Sequence, residues 1–446
     1  MNSQSDTKKR FHLHTLGCKV NQYESQAMRE SLLSAGFEEA SSRDLADVYV
    51  INTCTVTEKA DKESRYMVSV FRRANPEARI VVTGCYVEKD AGEIASIPGV
   101  SYILKNAQKG ILADILAGTP TIRSLKPAAG ASPSPRITGF KDHAKAFVKV
   151  QDGCENRCAY CKVPLVRGPL RSRPLDDIKN EVEGLVKNGF REIVLTGICL
   201  GAWGRDFFPA QMANTFGMAG ASLTDVIRAL DGISGDFRIR LSSIEPRYVT
   251  DELIVLIRLN RRICRHLHIP LQSGDDEILK RMNRPYTAEG YRSLVEKVRS
   301  GIDEVAITTD VMVGFPGESA AHFKNTLDFV RALAPARTHI FTFSKRAGTA
   351  AYGMEGGIDP YVAKKRHYDM EGVALNASYL YAKAFVGRVA KVLVENKREK
   401  DSGLLTGYSD NYIKILFSGP DGLMGRIVPV RIIETDPAKT TGVYEE

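Results

Sequence analysis

Two hydrophobic periodicities alternate along most of this chain. Short apolar runs that end in glycine or threonine read as strands, and stretches whose apolar positions recur every three or four residues read as helices. Near the N-terminus the strand-like runs are residues 11–18, 47–54 and 78–85. Helical patterns separate them, over 21–35 before Gly36 and over 58–74 before Pro76. That alternation predicts a parallel sheet with right-handed crossovers. A second series follows: residues 146–150, 193–196, 238–242, 266–271, 306–313 and 339–343, again with helical stretches between. About six such βα units predict a partial or full barrel with its site at the C-terminal strand ends. From about Ala382 the pattern shortens to strands at 389–394, 404–408, 412–417 and 426–433, split by turn-forming clusters, which predicts a small all-β barrel.

The expected architecture is therefore α/β and multidomain. A parallel α/β domain spans 9–120, a linker 121–142, a barrel core 143–380 and a small β barrel 382–446. From Gly118 to Lys141 the chain carries Pro120, Pro127, Pro133 and Pro135 and no acidic residue, a composition that marks a linker and does not pack. Its Arg123, Lys126, Arg136 and Lys141 read as solvated linker charge or, less simply, as contacts to RNA.

Cysteine placement changes the picture. In a parallel sheet all C-terminal strand ends share one edge, and Cys18, Cys54 and Cys85 each close a strand-like run. Three thiols distant in sequence thus converge, which favours a three-thiolate metal site over chance burial of cysteine. A second group, Cys154, Cys158 and Cys161, follows the first barrel strand at spacings of four and three. Three thiolates suit a cubane iron–sulfur cluster with one open iron, or zinc if a fourth ligand arrives. Cys199 and Cys264 stand apart and read as unliganded. His266 and His268 read as satisfying local hydrogen bonds. Five basic residues between Arg157 and Arg173, with no acid among them, read as a basic rim beside the cysteines or as a solvated loop face.

With 446 residues the chain has room for several cores, and eight cysteines are too few for a disulfide scaffold. A formal charge of +9, from 62 basic and 53 acidic residues, suits a polyanionic partner. No apolar run reaches the ~18 residues that span a membrane, and Met1 to Arg10 lacks a signal core, so a cytoplasmic location without membrane contact is expected. Tyr408 and Tyr412 in the terminal barrel read as RNA-stacking or as structural aromatics.

These residues resemble the radical S-adenosylmethionine methylthiotransferases. Cys154, Cys158 and Cys161 look like the radical signature, Cys18, Cys54 and Cys85 match the N-terminal cluster cysteines, and the tail looks like a TRAM RNA-binding domain. The stretches 16–21, 52–57 and 407–412 are similar to the branch acting on N6-threonylcarbamoyladenosine in tRNA. The sequence departs from that branch at Cys199, where histidine is frequent. The resemblance implies two 4Fe–4S clusters on the six cysteines and S-adenosyl-L-methionine as cofactor. One-electron cleavage of that cofactor would release a 5′-deoxyadenosyl radical that takes hydrogen from adenine C2, and the second cluster would deliver the sulfur. It also implies tRNA, a reductant protein such as flavodoxin or ferredoxin, and a sulfur donor as partners. Gly197, Ser243, Gln272, Ser273 and Asp310 are the candidates to line the S-adenosylmethionine pocket. The alternatives are the same chemistry on isopentenyladenosine tRNA or a ribosomal-protein aspartate, and a non-catalytic, zinc-stabilised RNA-binding protein.

Overall fold

The computed structural model describes residues 9–43, 46–118, 136–207 and 220–445. Most of the expected linker, including Arg123 and Lys126, lies outside the described residues. The chain divides into two compact units. One is built from the N-terminal residues up to Gly139 together with Gly153–Glu155 and Cys161–Pro169; the other contains the remainder.

In the N-terminal unit five strands, β1 (Arg10–Thr15), β2 (Glu38–Glu39), β3 (Val48–Thr53), β4 (Arg79–Gly84) and β5 (Val100–Leu104), form one sheet. Its order is β2-β1-β3-β4-β5 and every pairing is parallel. Central β3 is buried along its whole length, as a strand covered on both faces must be. Alternation sends Val48 and Val50 into a core with Phe11, Met28 and Leu32. It sends Tyr49 and Ile51 to the opposite face, with Phe71, Ile80 and Val82. Helices α1 (Lys19–Ser34) and α2 (Glu58–Ala74) are the crossovers. Thr57 caps α2 by accepting from Ala60 N–H, and Arg72 and Arg73 sit in its last turn against the negative helix end. At the far end of this unit, Thr138 and Gly139 donate their N–H groups to the Glu30 carboxylate at 2.8 and 3.1 Å.

The second unit holds strands β6 (Ala146–Asp152), β7 (Arg171–Ser172), β8 (Glu192–Gly197), β9 (Arg238–Leu241), β10 (His266–His268), β11 (Ala306–Val313) and β12 (Arg337–Thr342). Apart from the antiparallel β7, these pair in parallel as β6-β8-β9 and β10-β11-β12. Parallel bridges Ile239↔Ile263 and Ser243↔His268 join β9 to β10. Six strands in chain order thus make a partial barrel; among the described residues no pairing joins β12 back to β6. Strand β10 is shorter than its apolar run because Pro270 offers no N–H to the ladder, and Gln272 turns into the left-handed region at φ +69°. Among the described residues no helix is long and apolar enough to cross a membrane.

The tail closes into a barrel, β13 (Val389–Val394), β14 (Leu405–Ser409), β15 (Lys414–Ser418), β17 (Thr440–Tyr444) and β16 (Ile427–Thr435), in that order. β17 was not legible as a separate strand; it completes the closure by pairing with β15 and β16. This small barrel packs on the N-terminal ends of the core strands. There Glu192, buried at the start of β8, accepts from Arg238 at 2.7 Å and from Arg240 at 2.9 Å. The two guanidiniums spend their remaining donors on tail carbonyls: Arg238 on Lys391 and Tyr408, Arg240 on Ser409 and Asp410. Tyr412 stacks on His266 with centroids 4.2 Å apart and on Tyr408 at 5.1 Å. Both tyrosines thus take part in the packing of the tail on the core.

Burial by itself would raise the Glu192 pKa, but Arg240 and then Arg238 overcome it and hold the carboxyl far below its ordinary value. A depressed carboxyl contributes stability that is complete above the unfolded value of ~4.3 and is lost as pH falls through the folded one. Replacing Glu192 by Gln leaves two buried guanidiniums sharing no charge and should cost about 3–5 kcal/mol in denaturant unfolding. The variant should lose the wild type's added acid lability below about pH 4, and limited proteolysis should release the tail from residue 384 onward.

Candidate functional site

The first candidate site forms where the parallel topology places it. β1 ends three residues before Cys18, β3 ends directly before Cys54, and β4 ends directly before Cys85, which opens the short helix α3 (Cys85–Lys89). Two glycines permit the approach. Gly17 lies at φ +97°, and a Cβ there would fall 2.9 Å from Cys54 Sγ; Gly84 lies at φ +103°, and a Cβ there would fall 2.4 Å from the Thr53 carbonyl. No larger residue fits either turn. Asn21 fastens the strand ends together by donating to the Leu16 carbonyl at 2.8 Å and the Thr53 carbonyl at 2.9 Å. Asn52 donates back to the Asn21 carbonyl and to Ser25.

Burial pushes the Cys54 thiol up to about 11, and Cys85 and Cys18 add to the rise. Burial also raises Cys85, while Arg167 and Lys109 pull it down. Arg167 is buried here, its Nε donating to Cys85 Sγ at 3.1 Å and its Nη1 to Glu24 at 2.6 Å. Lys109 Nζ pairs with the same carboxylate. Two cations thus share Glu24 beside Cys85.

The second group lies on the loop after β6. Gly153, at φ +72°, admits no side chain, since a Cβ would fall 1.8 Å from the Pro169 carbonyl. Cys154 N–H donates to the Gly168 carbonyl at 3.1 Å, and Cys161 Sγ accepts from Val163 N–H at 3.4 Å. In the barrel unit, Ala159 N–H donates to Met282 and its carbonyl accepts from Ala351. Cys158 Sγ accepts from Arg284 Nη1 at 2.9 Å, and Arg284 also pairs with Glu245 and donates to the Tyr286 hydroxyl at 3.0 Å. Burial opposes the charge of Arg284, but Tyr160, Tyr286, Glu245 and Cys158 outweigh it and hold its pKa above the usual arginine value.

The basic stretch between Arg157 and Arg173 is neither a continuous rim nor a solvated face. Lys162, Arg167 and Arg173 are buried, and Arg173 is tied to Glu181 at 2.6 Å. Of the expected cofactor-lining residues, Ser243, Gln272 and Asp310 lie on or just beyond the adjacent strands β9, β10 and β11. His268 links two of these strands, bridging Ser243 by backbone and standing 3.2 Å from Asp310 through Nε2. Gly197 ends β8 and packs on Gln151, whose Oε1 also accepts from Cys199 N–H at 2.7 Å. Ser273 is buried, its hydroxyl shared with Thr326 at 3.0 Å and accepting from Asp275 N–H. His266 and His268 both bond Thr308 at 2.9 Å. A cleft of about 660 Å³ is lined by Arg337, His339, Glu371, Tyr379, Tyr412 and Lys439 among others, and no cysteine lines it.

None of the eight cysteines is in a disulfide, and the six in question are soft donors of the kind that hold iron–sulfur centres. The crowding of Gly17 against Cys54 and the delivery of Cys18, Cys54 and Cys85 to one edge of the sheet fit a shared centre. Among the described residues, no three such side chains are drawn in to metal-ligand spacing.

Residues 10–104 match an uncharacterised protein family, UPF0004, residues 148–330 match the radical SAM superfamily, and residues 383–442 match the TRAM domain. The chain is 36% identical over 431 residues to a protein of Bacillus subtilis named threonylcarbamoyladenosine tRNA methylthiotransferase, covering 94% of this chain and 93% of the relative. It is 38% identical to a Thermotoga maritima protein of the same name, with 92% of each covered. It is 32% identical to a Clostridium tetani protein named tRNA-2-methylthio-N(6)-dimethylallyladenosine synthase, covering 98% and 96%. The fold is similar to that of a radical S-adenosylmethionine methyltransferase from Kitasatospora setae, at 16% identity and a TM-score of 0.55, with 77% of each chain covered. With that extent of identity to whole relatives and matches in all three of its parts, the chain belongs to the radical S-adenosylmethionine methylthiotransferases.

Proposed function

We propose that this enzyme adds a methylthio group to C2 of N6-threonylcarbamoyladenosine next to the anticodon of tRNA, giving 2-methylthio-N6-threonylcarbamoyladenosine. The observation that carries this reading is identity of 36–38% across more than nine-tenths of the chain to three relatives named for that substrate. Relatives named for the dimethylallyl substrate stand at 32–33%.

In this reading Cys154, Cys158 and Cys161 hold one 4Fe–4S cluster, and Cys18, Cys54 and Cys85 hold the other. When bound, the clusters supply one-electron chemistry on S-adenosylmethionine and a site for sulfur. The chain's own residues do the rest. Gly197 and Gln272 present backbone, and Ser243 and Asp310 present polar side chains, toward S-adenosylmethionine at the C-terminal ends of the core strands. Ser273 belongs to the same set by sequence, but its hydroxyl is engaged with Thr326 and Asp275, so only its backbone is offered. Arg284, anchored by Glu245 and Tyr286, fixes the Cys158 side chain. The tRNA is bound with help from the terminal barrel. A reductant protein of the flavodoxin or ferredoxin kind and a sulfur donor complete the reaction, in the cytoplasm.

The test of substrate is product analysis. Protein reconstituted anaerobically with iron and sulfide, then given reductant, S-adenosylmethionine and tRNA carrying threonylcarbamoyladenosine, should yield the methylthiolated nucleoside by mass spectrometry. Methylthiolation of isopentenyladenosine tRNA alone would move the enzyme to the other branch.

The two cysteine groups should separate by readout. Cys158→Ala should abolish 5′-deoxyadenosine formation. Replacing Cys18, Cys54 and Cys85 by alanine should remove roughly half of the bound iron and all methylthio product, yet leave 5′-deoxyadenosine formation in place. Loss of both activities from this second variant, with its iron content intact, would contradict the division of labour.

A further inference from the structure

Each cysteine group offers one thiol to a buried arginine, and each of these arginines is held by a glutamate. Arg167 reaches Cys85 across 82 residues of sequence at 3.1 Å and is fixed by Glu24. Arg284 reaches Cys158 across 126 residues at 2.9 Å and is fixed by Glu245. Neither contact is a by-product of local chain geometry, and the pattern arises independently in the two units. A guanidinium keeps its charge at any accessible pH and cannot accept a hydrogen bond, so beside a thiolate it acts only as a charged donor. Donation of this kind draws electron density from the sulfur, and hydrogen bonds to ligand sulfurs are among the levers that set a cluster's potential.

We infer that Arg167 and Arg284 are positioning residues, each orienting one thiolate ligand and raising the reduction potential of the centre that thiolate holds. The inference rests on the assignment of the two cysteine groups as cluster ligands. Its structural rival is that the arginines merely complete buried ion pairs with Glu24 and Glu245. An ion pair of that sort would affect folding and leave potentials alone. The environments differ in one respect: Lys109 also pairs with Glu24, so cationic charge remains near Cys85 when Arg167 is neutralised.

The experiment is a reductive titration of the anaerobically reconstituted full chain, followed by electron paramagnetic resonance. Arg167→Gln is examined with Cys154, Cys158 and Cys161 replaced by alanine, and Arg284→Gln with Cys18, Cys54 and Cys85 replaced. The same arginine variants are titrated with all six cysteines present, so that the reading does not depend on the triple variants folding. Each Gln variant should show about a tenfold smaller reduced fraction of its own centre at a given solution potential, ~59 mV for a one-electron couple. Arg167→Lys and Arg284→Lys should recover most of that shift. Unchanged potentials in variants that retain their iron would overturn the inference and leave the ion-pair rival. Equal shifts of both centres by either variant would overturn it as well. A wild-type chain that takes up no iron and sulfide would fell the cluster assignment itself, an outcome read before any arginine is changed.

Discussion

Buried arginines hold two of the thiols, Cys85 and Cys158, and the terminal barrel, and each of these burials depends on a glutamate. Removing a guanidinium from water costs several kcal/mol unless a carboxylate and further acceptors receive it. Glu24 serves Arg167 and Lys109, Glu245 serves Arg284, and Glu192 serves Arg238 and Arg240. In each case the spare donors reach something the fold needs held: Cys85, Cys158, or the carbonyls of the tail. Loss of one glutamate therefore does more than break a pair. It strands a charge and releases the group which that charge was holding.

The sheet supplies the other half of the arrangement. In a parallel sheet every strand delivers its chain to the same edge, so three thiols need no contact in sequence to become neighbours. What the topology does not supply is closeness. Gly17 and Gly84 bring the turns after β1 and β4 against the chain after β3 by adopting positive φ. Asn21 and Asn52 then lock those turns with side-chain hydrogen bonds to backbone. The stretches that resemble the threonylcarbamoyladenosine branch contain these asparagines and Gly17, so part of that resemblance is a signature of how the thiols are presented.

Much of this was legible in the sequence because it is written locally. Strand runs ending in cysteine, the Cys154–Cys158–Cys161 spacing and the change to short strands after Ala382 all lie within short windows. Arg167 and Arg284 were hidden because their partners are far off in the chain; Arg167 was lost among basic neighbours that read as one surface, although Lys162 and Arg173 are also buried. Ser273 has the right place after a strand and the wrong direction, toward Thr326. β17 escaped because Thr440–Tyr444, although a hairpin neighbour of β16, gains its closing role only from β15, which lies further back in the chain.

The docking of the tail bears on specificity. Ser409 and Asn411 are buried, and Tyr412 adopts φ +67° to stack on His266 and Tyr408. Side chains occupied in this way are committed to the contact between the small barrel and the core. The tail residues that resemble the threonylcarbamoyladenosine branch are then docking residues, and they match the core surface they sit on. Discrimination between the two modified adenosines must be made elsewhere. A threonylcarbamoyl group ends in a carboxylate and a dimethylallyl group is wholly apolar, so a site that accepts the first needs a cation or hydrogen-bond donors that the second would leave unpaired. Under the proposed function such groups belong at the C-terminal ends of the core strands.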